Sequence, residues 1–267
     1  MLRTILNTII TCLLFLSARA QDTTNITTET LKVYPLLWQR TAAEYRALCY
    51  QAFNLAKLRV DDAIAKRPGR KNLAIITDLD ETILNSSNIS AQAIKTGKQI
   101  SAQEWTEWAG RVSPPAVPGA VEFLQYAASK GINVFYVSNR NVSGLQYSLW
   151  VLQKLELPNA DTSHMLFLSD DFSKEPRRRL VMKNYDVFLL LGDNLNDFAQ
   201  VFEDKPISDR LKETDKFRQD WGNKFIVLPN AAYGDWENAL YDYNDTLPPA
   251  QEMIKLKSLL QGFEKKQ

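Results

Sequence analysis

Five short apolar runs recur beyond residue 70, at 73–77, 132–137, 165–168, 187–191 and 225–228, with helix-length segments between most of them. Strands that are apolar throughout rather than alternately are those buried on both faces, and strands that alternate with helices pair in parallel. The pattern therefore constrains the chain to an α/β fold, a Rossmann-like parallel sheet with helices on both faces. It also says where chemistry can sit. Ligands of such sheets bind outside the carboxyl ends of the strands, where the strand order reverses.

The rest of the chain is arranged around this core. From residue 29 to 66 apolar residues fall at helical spacing until Pro68-Gly69, which reads as one long helix or two interrupted near Pro35. The stretch 85–118, with Trp105, Trp108 and Pro114-Pro115, is too long for a plain crossover loop and reads as a small, mainly helical cap near the strand mouths. A helix over 120–129 returns to the second strand. The organisation so read is a signal peptide at 1–20, an N-terminal helical segment at 21–69, an α/β core from 70–84 and 119–235, the cap insertion at 85–118 and a C-terminal extension at 236–267.

Composition narrows the function classes. With 45% apolar residues in 267, the chain has ample material for a packed core. Arg3, an apolar stretch from Ile9 to Leu16, and Ala18-Arg19-Ala20 have the layout of a secretory signal peptide cleaved after Ala20, so the protein is expected to be exported, periplasmic or extracellular. That stretch is too short to span a bilayer, and no later segment offers the roughly 20 apolar residues a transmembrane helix needs. Cys12 sits inside the apolar stretch and makes a poor lipid-attachment site. Without the leader the charges nearly balance, which gives no support to nucleic-acid or membrane-surface binding. Only Cys49 then remains, so no internal disulfide is possible. A single histidine, His164, leaves nothing from which to build zinc sites of several histidines or paired-histidine catalysis. It precedes a strand and reads as an ordinary strand-start residue.

Carboxylates remain as the chemical groups, and they gather at strand ends. The first run ends in Asp78-Leu79-Asp80-Glu81-Thr82; residues two apart in extended chain point to the same side, so Asp78 and Asp80 can address one ligand. Two anions so close call for a compensating cation, most simply a hard, oxygen-loving metal. The competing reading is that they merely end a strand and cap the next helix. The second run ends in Ser138-Asn139-Arg140, whose hydroxyl, amide and guanidinium could hold phosphate oxygens or could be a polar strand end. The third leads to Ser173-Lys174-Glu175-Pro176-Arg177-Arg178-Arg179, a cationic helix start whose three arginines otherwise read as a solvated face. The fourth ends in Gly192-Asp193-Asn194-Leu195-Asn196-Asp197, with Asp193 and Asp197 on one side of a helical turn or simply capping it.

These four strand ends together resemble the haloacid-dehalogenase (HAD) superfamily of phosphatases, and the segments around Asp78, Lys174 and Asp193 are similar to those of its class C acid phosphatases, bacterial enzymes related to the lipoprotein e 5′-nucleotidase. Residues 116–120 and 228–237 match as well, so the resemblance covers nearly all of the chain after the leader. It departs in lacking a convincing lipobox, which puts the lipid anchor of many relatives in doubt, and in carrying Ser138 where some relatives have Thr.

The resemblance implies a Mg2+-dependent phosphomonoesterase. Asp78 would be the nucleophile that forms an aspartyl-phosphate and Asp80 the acid and base. Mg2+ would be held by the Asp78 carboxylate, the Asp80 backbone carbonyl and Asp193, with Asp197 one layer behind. Lys174 would offset charge and Ser138 would donate to a phosphoryl oxygen. Substrates would be small phosphomonoesters, nucleoside monophosphates among them, contacted by Asn139 and Arg140 and stacked on Trp105 or Tyr233; cap packing is the other reading of these two aromatics. The competing functions are a non-catalytic binding protein on the same fold and a phosphotransferase. Nothing in the sequence fixes the oligomeric state, a homodimer included.

Overall fold

A computed structural model describes residues 31–97, 100–111 and 114–262; the expected signal peptide and the first part of the N-terminal segment lie outside the described residues. Two helices, α1 (Val33–Thr41) and α2 (Ala43–Lys66), precede strand β1 (Leu73–Thr77). The excursion after β1 carries α3 (Ser87–Thr96) and α4 (Ala102–Arg111). Then follow α5 (Ala120–Ser129), β2 (Asn133–Asn141), α6 (Leu145–Lys154), β3 (Met165–Leu168), α7 (Glu175–Met182), β4 (Asp186–Gly192), α8 (Ile207–Lys216), β5 (Phe225–Val227), α9 (Asp235–Leu240) and α10 (Pro249–Leu259).

The sheet is parallel throughout, in the order β3-β2-β1-β4-β5. The chain builds outward from β1 to β3, then returns across to place β4 on the other side of β1. The carboxyl ends of β1 and β4 thus form the switch point expected to receive a ligand.

The strands are buried on both faces, and the two-residue period sorts their side chains. Leu73 and Ile75 of β1 and Leu189 and Leu191 of β4 join α2, α5 and α6 in one cluster around Phe53, Val60, Phe123 and Leu152. Ala74, Ile76 and Leu190 join Val181 of α7 and the ring-rich group of Phe198 and Phe225 in the other. Each large aliphatic side chain removed from water contributes about 1.5–3 kcal/mol. Truncating Leu189, fully buried at the centre, would cost about 2–5 kcal/mol.

The N-terminal break falls at Ala42 and not near Pro35. Pro35 occupies the first turn of α1, where a missing N–H leaves no bond unmade. Ala42 adopts extended geometry, and the break is held by the edge-on packing of Trp38 against Tyr45, ring centres 5.7 Å apart. From there α1 reaches the excursion, where Arg40 donates to Ser87 Oγ at 3.0 Å.

The excursion itself is closed at its base. Val117 N donates to Ile83 O at 2.9 Å, Asn85 N to Pro115 O at 2.8 Å, and Leu84 and Ala116 form an antiparallel bridge. Within it, reciprocal bonds between Ser101 and Glu104 start α4 and a left-handed Gly97 ends α3. Among the described residues no helix is long and apolar enough to cross a membrane.

Candidate active site

The ladder between β1 and β4 sets the first row of the site. Thr77 pairs with Leu191, and Asp78 N donates to Leu191 O at 3.0 Å, one residue beyond the strand. Gly192 then ends β4, and Asp193 follows it beside Asp78. The loop after Asp78 is tight. Ile83 N and Leu84 N both donate to Leu79 O at 2.8 Å, and Leu79, Ile83 and Leu84 are sealed in the core. Glu81 takes a left-handed conformation, φ 57°, which for a non-glycine residue costs on the order of 1–3 kcal/mol. Contacts of its buried carboxylate hold it there: it accepts from Ser86 N at 2.9 Å, from Gln39 Nε2 of α1 at 3.2 Å and from the Tyr233 hydroxyl.

Asp78 is buried, and its Oδ1 accepts from Lys174 Nζ at 2.5 Å. The same ammonium donates to Asp197 Oδ1 at 2.5 Å. Lys174 arrives from the third strand end as the residue before α7, whose first turn contains Pro176. Asp197 arrives from the fourth by a capped single turn: Asn194 accepts from Asn196 N at 3.2 Å, and Asp197 Oδ2 accepts from Asn194 N at 3.0 Å. Capping and active-site contact, posed as alternatives by the sequence, are both carried by Asp197, one oxygen each. Gly192 makes this possible, because a Cβ there would collide with the Asp197 side chain. Asp193 accepts from Thr82 Oγ1 at 3.1 Å and Asn230 Nδ2 at 2.8 Å.

Carboxylate oxygens of Asp78, Asp193 and Asp197 lie within 4.8 Å of one another. Burial first, then the neighbouring carboxylates, hold the Asp78 carboxyl well above the usual range and push Asp193 up to about 7. Burial acts to lower Lys174, but the charges of Asp197 and Asp78 overcome it and raise it. Three carboxylates against one ammonium leave a formal deficit of two positive charges. Hard oxygen donors with that deficit fit a divalent metal ion, which the cluster could hold.

Asp80 has a different setting. A β-bulge after Ser138 shifts the pairing of β2 with β3, and the extra residues Asn139 and Arg140 are re-aimed there. Arg140 turns inward and grips the Asp80 carboxylate with two bonds of 2.8 Å. Trp105 of α4 lies over the guanidinium at 4.7 Å. Ser138 Oγ accepts from Arg140 N at 3.1 Å, which leaves its hydroxyl hydrogen to donate. Asn139 is committed to the wall: it donates to Phe172 O at 3.0 Å and accepts from Arg177 at 2.6 Å. The structure brings all ten sequence-identified residues to the lining of one cavity of about 1050 Å³, Tyr233 among them, with its hydroxyl turned to Glu81.

Sequence reasoning overlooked several supporting residues. The solvated face expected for the three arginines holds only for Arg179. Arg177 is buried and donates to Ser138 O at 2.6 Å, tying the second strand end to the third. Arg178 is buried as well and donates to Asn196 O at 2.7 Å, tying the third to the fourth. Thr82 and Asn230 stand inside segments that the resemblance marks. Gln39 carries no signal beyond being polar on a helix, 42 residues upstream of its partner.

A cluster outside the carboxyl ends of parallel strands, at the switch point, is that of α/β enzymes whose ligands enter there. Comparison with known proteins narrows the class: the chain belongs to the HAD superfamily, subfamily IIIB (acid phosphatase), whose family model matches residues 16–236. It is similar to the class C acid phosphatase from Bacillus anthracis, with 38% identity over 88% of this chain and 99% of that one, TM-score 0.83. The crystal structure of that class C acid phosphatase with tungstate bound aligns at 37% identity over 89% and 99%, TM-score 0.84. The protein is accordingly a phosphatase, a hydrolase of the acid phosphatase type.

Proposed function

We propose that the protein is an exported, Mg2+-dependent phosphomonoesterase that works through an aspartyl-phosphate on Asp78, with small phosphomonoesters, nucleoside 5′-monophosphates among them, as substrates. The observation that carries this is the sharing of Lys174 between Asp78 and Asp197, with Asp193 in reach, at the mouth of β1 and β4. Lys174 Nζ occupies Asp78 Oδ1, and Oδ2 accepts no hydrogen bond from the described residues. Oδ2 is the oxygen free to attack phosphorus.

As the P–O ester bond breaks, Asp80 gives its proton to the departing oxygen. It then takes a proton from water, whose oxygen bonds to phosphorus as the bond to Asp78 breaks and phosphate leaves. Ser138 donates its hydroxyl hydrogen to a phosphoryl oxygen, and Lys174 keeps one N–H for another. Asp78, Asp193 and the backbone of Asp80 would hold Mg2+, with Asp197 fixing Lys174 behind them; the bound ion supplies charge neutralisation for the nucleophile and the phosphoryl group. Tungstate, a tetrahedral oxyanion, is bound in the relative from Bacillus anthracis, which supports an oxyanion site here. Export rests on the leader-like residues 1–20.

The test is a panel of aryl, alkyl and nucleoside phosphates assayed with the mature protein from pH 4 to 8. Chelation with EDTA should abolish turnover and Mg2+ should restore it. Turnover indifferent to chelation would remove the metal from the scheme, and no turnover on any member would remove the substrate class. Phosphate appearing on added nucleoside in place of water would make it a phosphotransferase.

A further inference from the structure

Arg140 has no function in the scheme above, yet it is among the most firmly held side chains of the wall. Its side chain is 3% exposed although it lies on the cavity lining. Nε donates to Asp80 Oδ2 and Nη2 to Asp80 Oδ1, both at 2.8 Å, a fork-on-fork pair that fixes the plane of the carboxyl group. Nη1 donates to Ser148 Oγ of α6 at 2.9 Å. The face of the guanidinium is covered by Trp105 from the cap. Three of its five N–H hydrogens are committed in this way, and the two aimed at Asp80 cannot turn to a phosphoryl oxygen without releasing that carboxylate.

Asp80 is held asymmetrically. Oδ1 accepts from Arg140 and also from the Ser86 hydroxyl, whereas Oδ2 accepts only from Arg140 Nε among the described residues. A carboxylate oxygen has two acceptor sites. Both are filled on Oδ1, and one stays open on Oδ2.

We infer that Arg140 is a positioning residue for leaving-group protonation: it aims the open site of Asp80 Oδ2 at the departing oxygen, and Trp105 holds Arg140 in that pose. The proton moves from Oδ2 to the ester oxygen as the bond from that oxygen to phosphorus breaks and Asp78 bonds to phosphorus; Arg140 neither gives nor takes it. This rests on the reading of Asp80 as acid and base. It goes beyond that reading in giving the cap a part in the chemistry.

The experiment compares kcat/KM, with Mg2+ present, for p-nitrophenyl phosphate and for an alkyl ester, glycerol 2-phosphate. Nitrophenolate leaves without a proton and a glycerol alkoxide does not, and kcat/KM reports only the steps through the first P–O cleavage. Positioned general acids contribute on the order of 10²–10⁴-fold. Arg140→Met should lower the alkyl value about 100-fold and the aryl value less than about tenfold. Trp105→Leu should show the same selectivity at smaller size, and serves if Arg140→Met does not fold. Asp80→Asn is the control on the underlying reading and should be more selective still. Equal losses on both esters in Asp80→Asn would overturn the role of Asp80 itself. A selective Asp80→Asn beside unselective losses in Arg140→Met and Trp105→Leu would overturn the positioning role alone, and a rise in KM common to both esters would return Arg140 to phosphate binding.

Discussion

Asp78 lies at the bottom of the cavity among carboxylates, with one ammonium group divided between it and Asp197; Asp80, two residues on, lies under a guanidinium that forms an ion pair with no other carboxylate among the described residues. The first region is deficient in positive charge and the second is matched. Chain-adjacent groups of identical chemistry are thereby set to different work: a buried, crowded carboxylate suits metal binding and attack, and a fixed, paired one suits directional proton transfer. The difference comes from which strand end faces each residue. Asp78 looks toward the ends of β3 and β4, and Asp80 toward the bulge of β2.

The largest test of this contrast is Asp78→Asn, which should lower turnover of p-nitrophenyl phosphate by at least about 10⁴-fold while thermal unfolding stays cooperative. A variant within tenfold of the parent would break the division of labour outright. Next in size, Lys174→Met strips the crowded region of its one cation. Breaking a buried pair by removing one partner costs about 3–5 kcal/mol. The loss should appear in urea unfolding with divalent metal withheld and should shrink when metal is added. Parent-like stability without metal would mean that the carboxylates need no internal cation.

Gly192→Ala is smaller and sharper. The added Cβ must displace Asp197, at about 1–3 kcal/mol, and should impair activity without touching the Asp80 region. The leaving-group selectivity proposed for Asp80 should survive in what activity remains.

The smallest effect concerns Glu81, which joins the two regions. Burial, then the charge of Asp80, push its carboxyl up to about 8 against an unfolded value of about 4.3, while the donors Tyr233, Gln39 and Ser86 oppose the shift. A folded value above the unfolded one means that the native protein binds more protons between them, so stability from this group is complete below about pH 4 and is lost as pH rises through 8. The difference in Tm between the parent and Glu81→Gln, measured without metal, should therefore fall steadily over that range. A flat difference would show that the three donors dominate and Glu81 is ionised throughout.

Much of this was legible in the sequence because it follows from the period of the strands. Runs such as 73–77 and 165–168 become strands over those same residues, and their ends carry the carboxylates to one mouth. What could not be read depends on contacts between distant segments. The break at Ala42 has no proline or glycine to announce it and is held by Trp38 against Tyr45. Arg177 and Arg178 look like surface residues until the carbonyls of Ser138 and Asn196 arrive from two other strand ends to take their hydrogens. From sequence Arg140 reads as a phosphate contact or a polar strand end and not as a partner of Asp80, because a bulge, which needs a partner strand to exist, is what turns it inward. Gln39 belongs to the site only through the fold of α1.

The bridge between Leu84 and Ala116 has a consequence for how such a protein can change. Its two flanking bonds bring the ends of the excursion together, so the segment between them leaves and rejoins the sheet at one place. Lengthening a closed segment costs little, about 0.6 kcal/mol for each doubling. Helices α3 and α4 thus form an exchangeable cassette: its walls can be rewritten to admit a new leaving group while the strand ends below go on cleaving the same bond. The restriction lies in the side chains that touch what is below, since any replacement must still present a flat ring where Trp105 now covers Arg140 and a hydroxyl where Ser86 donates to Asp80.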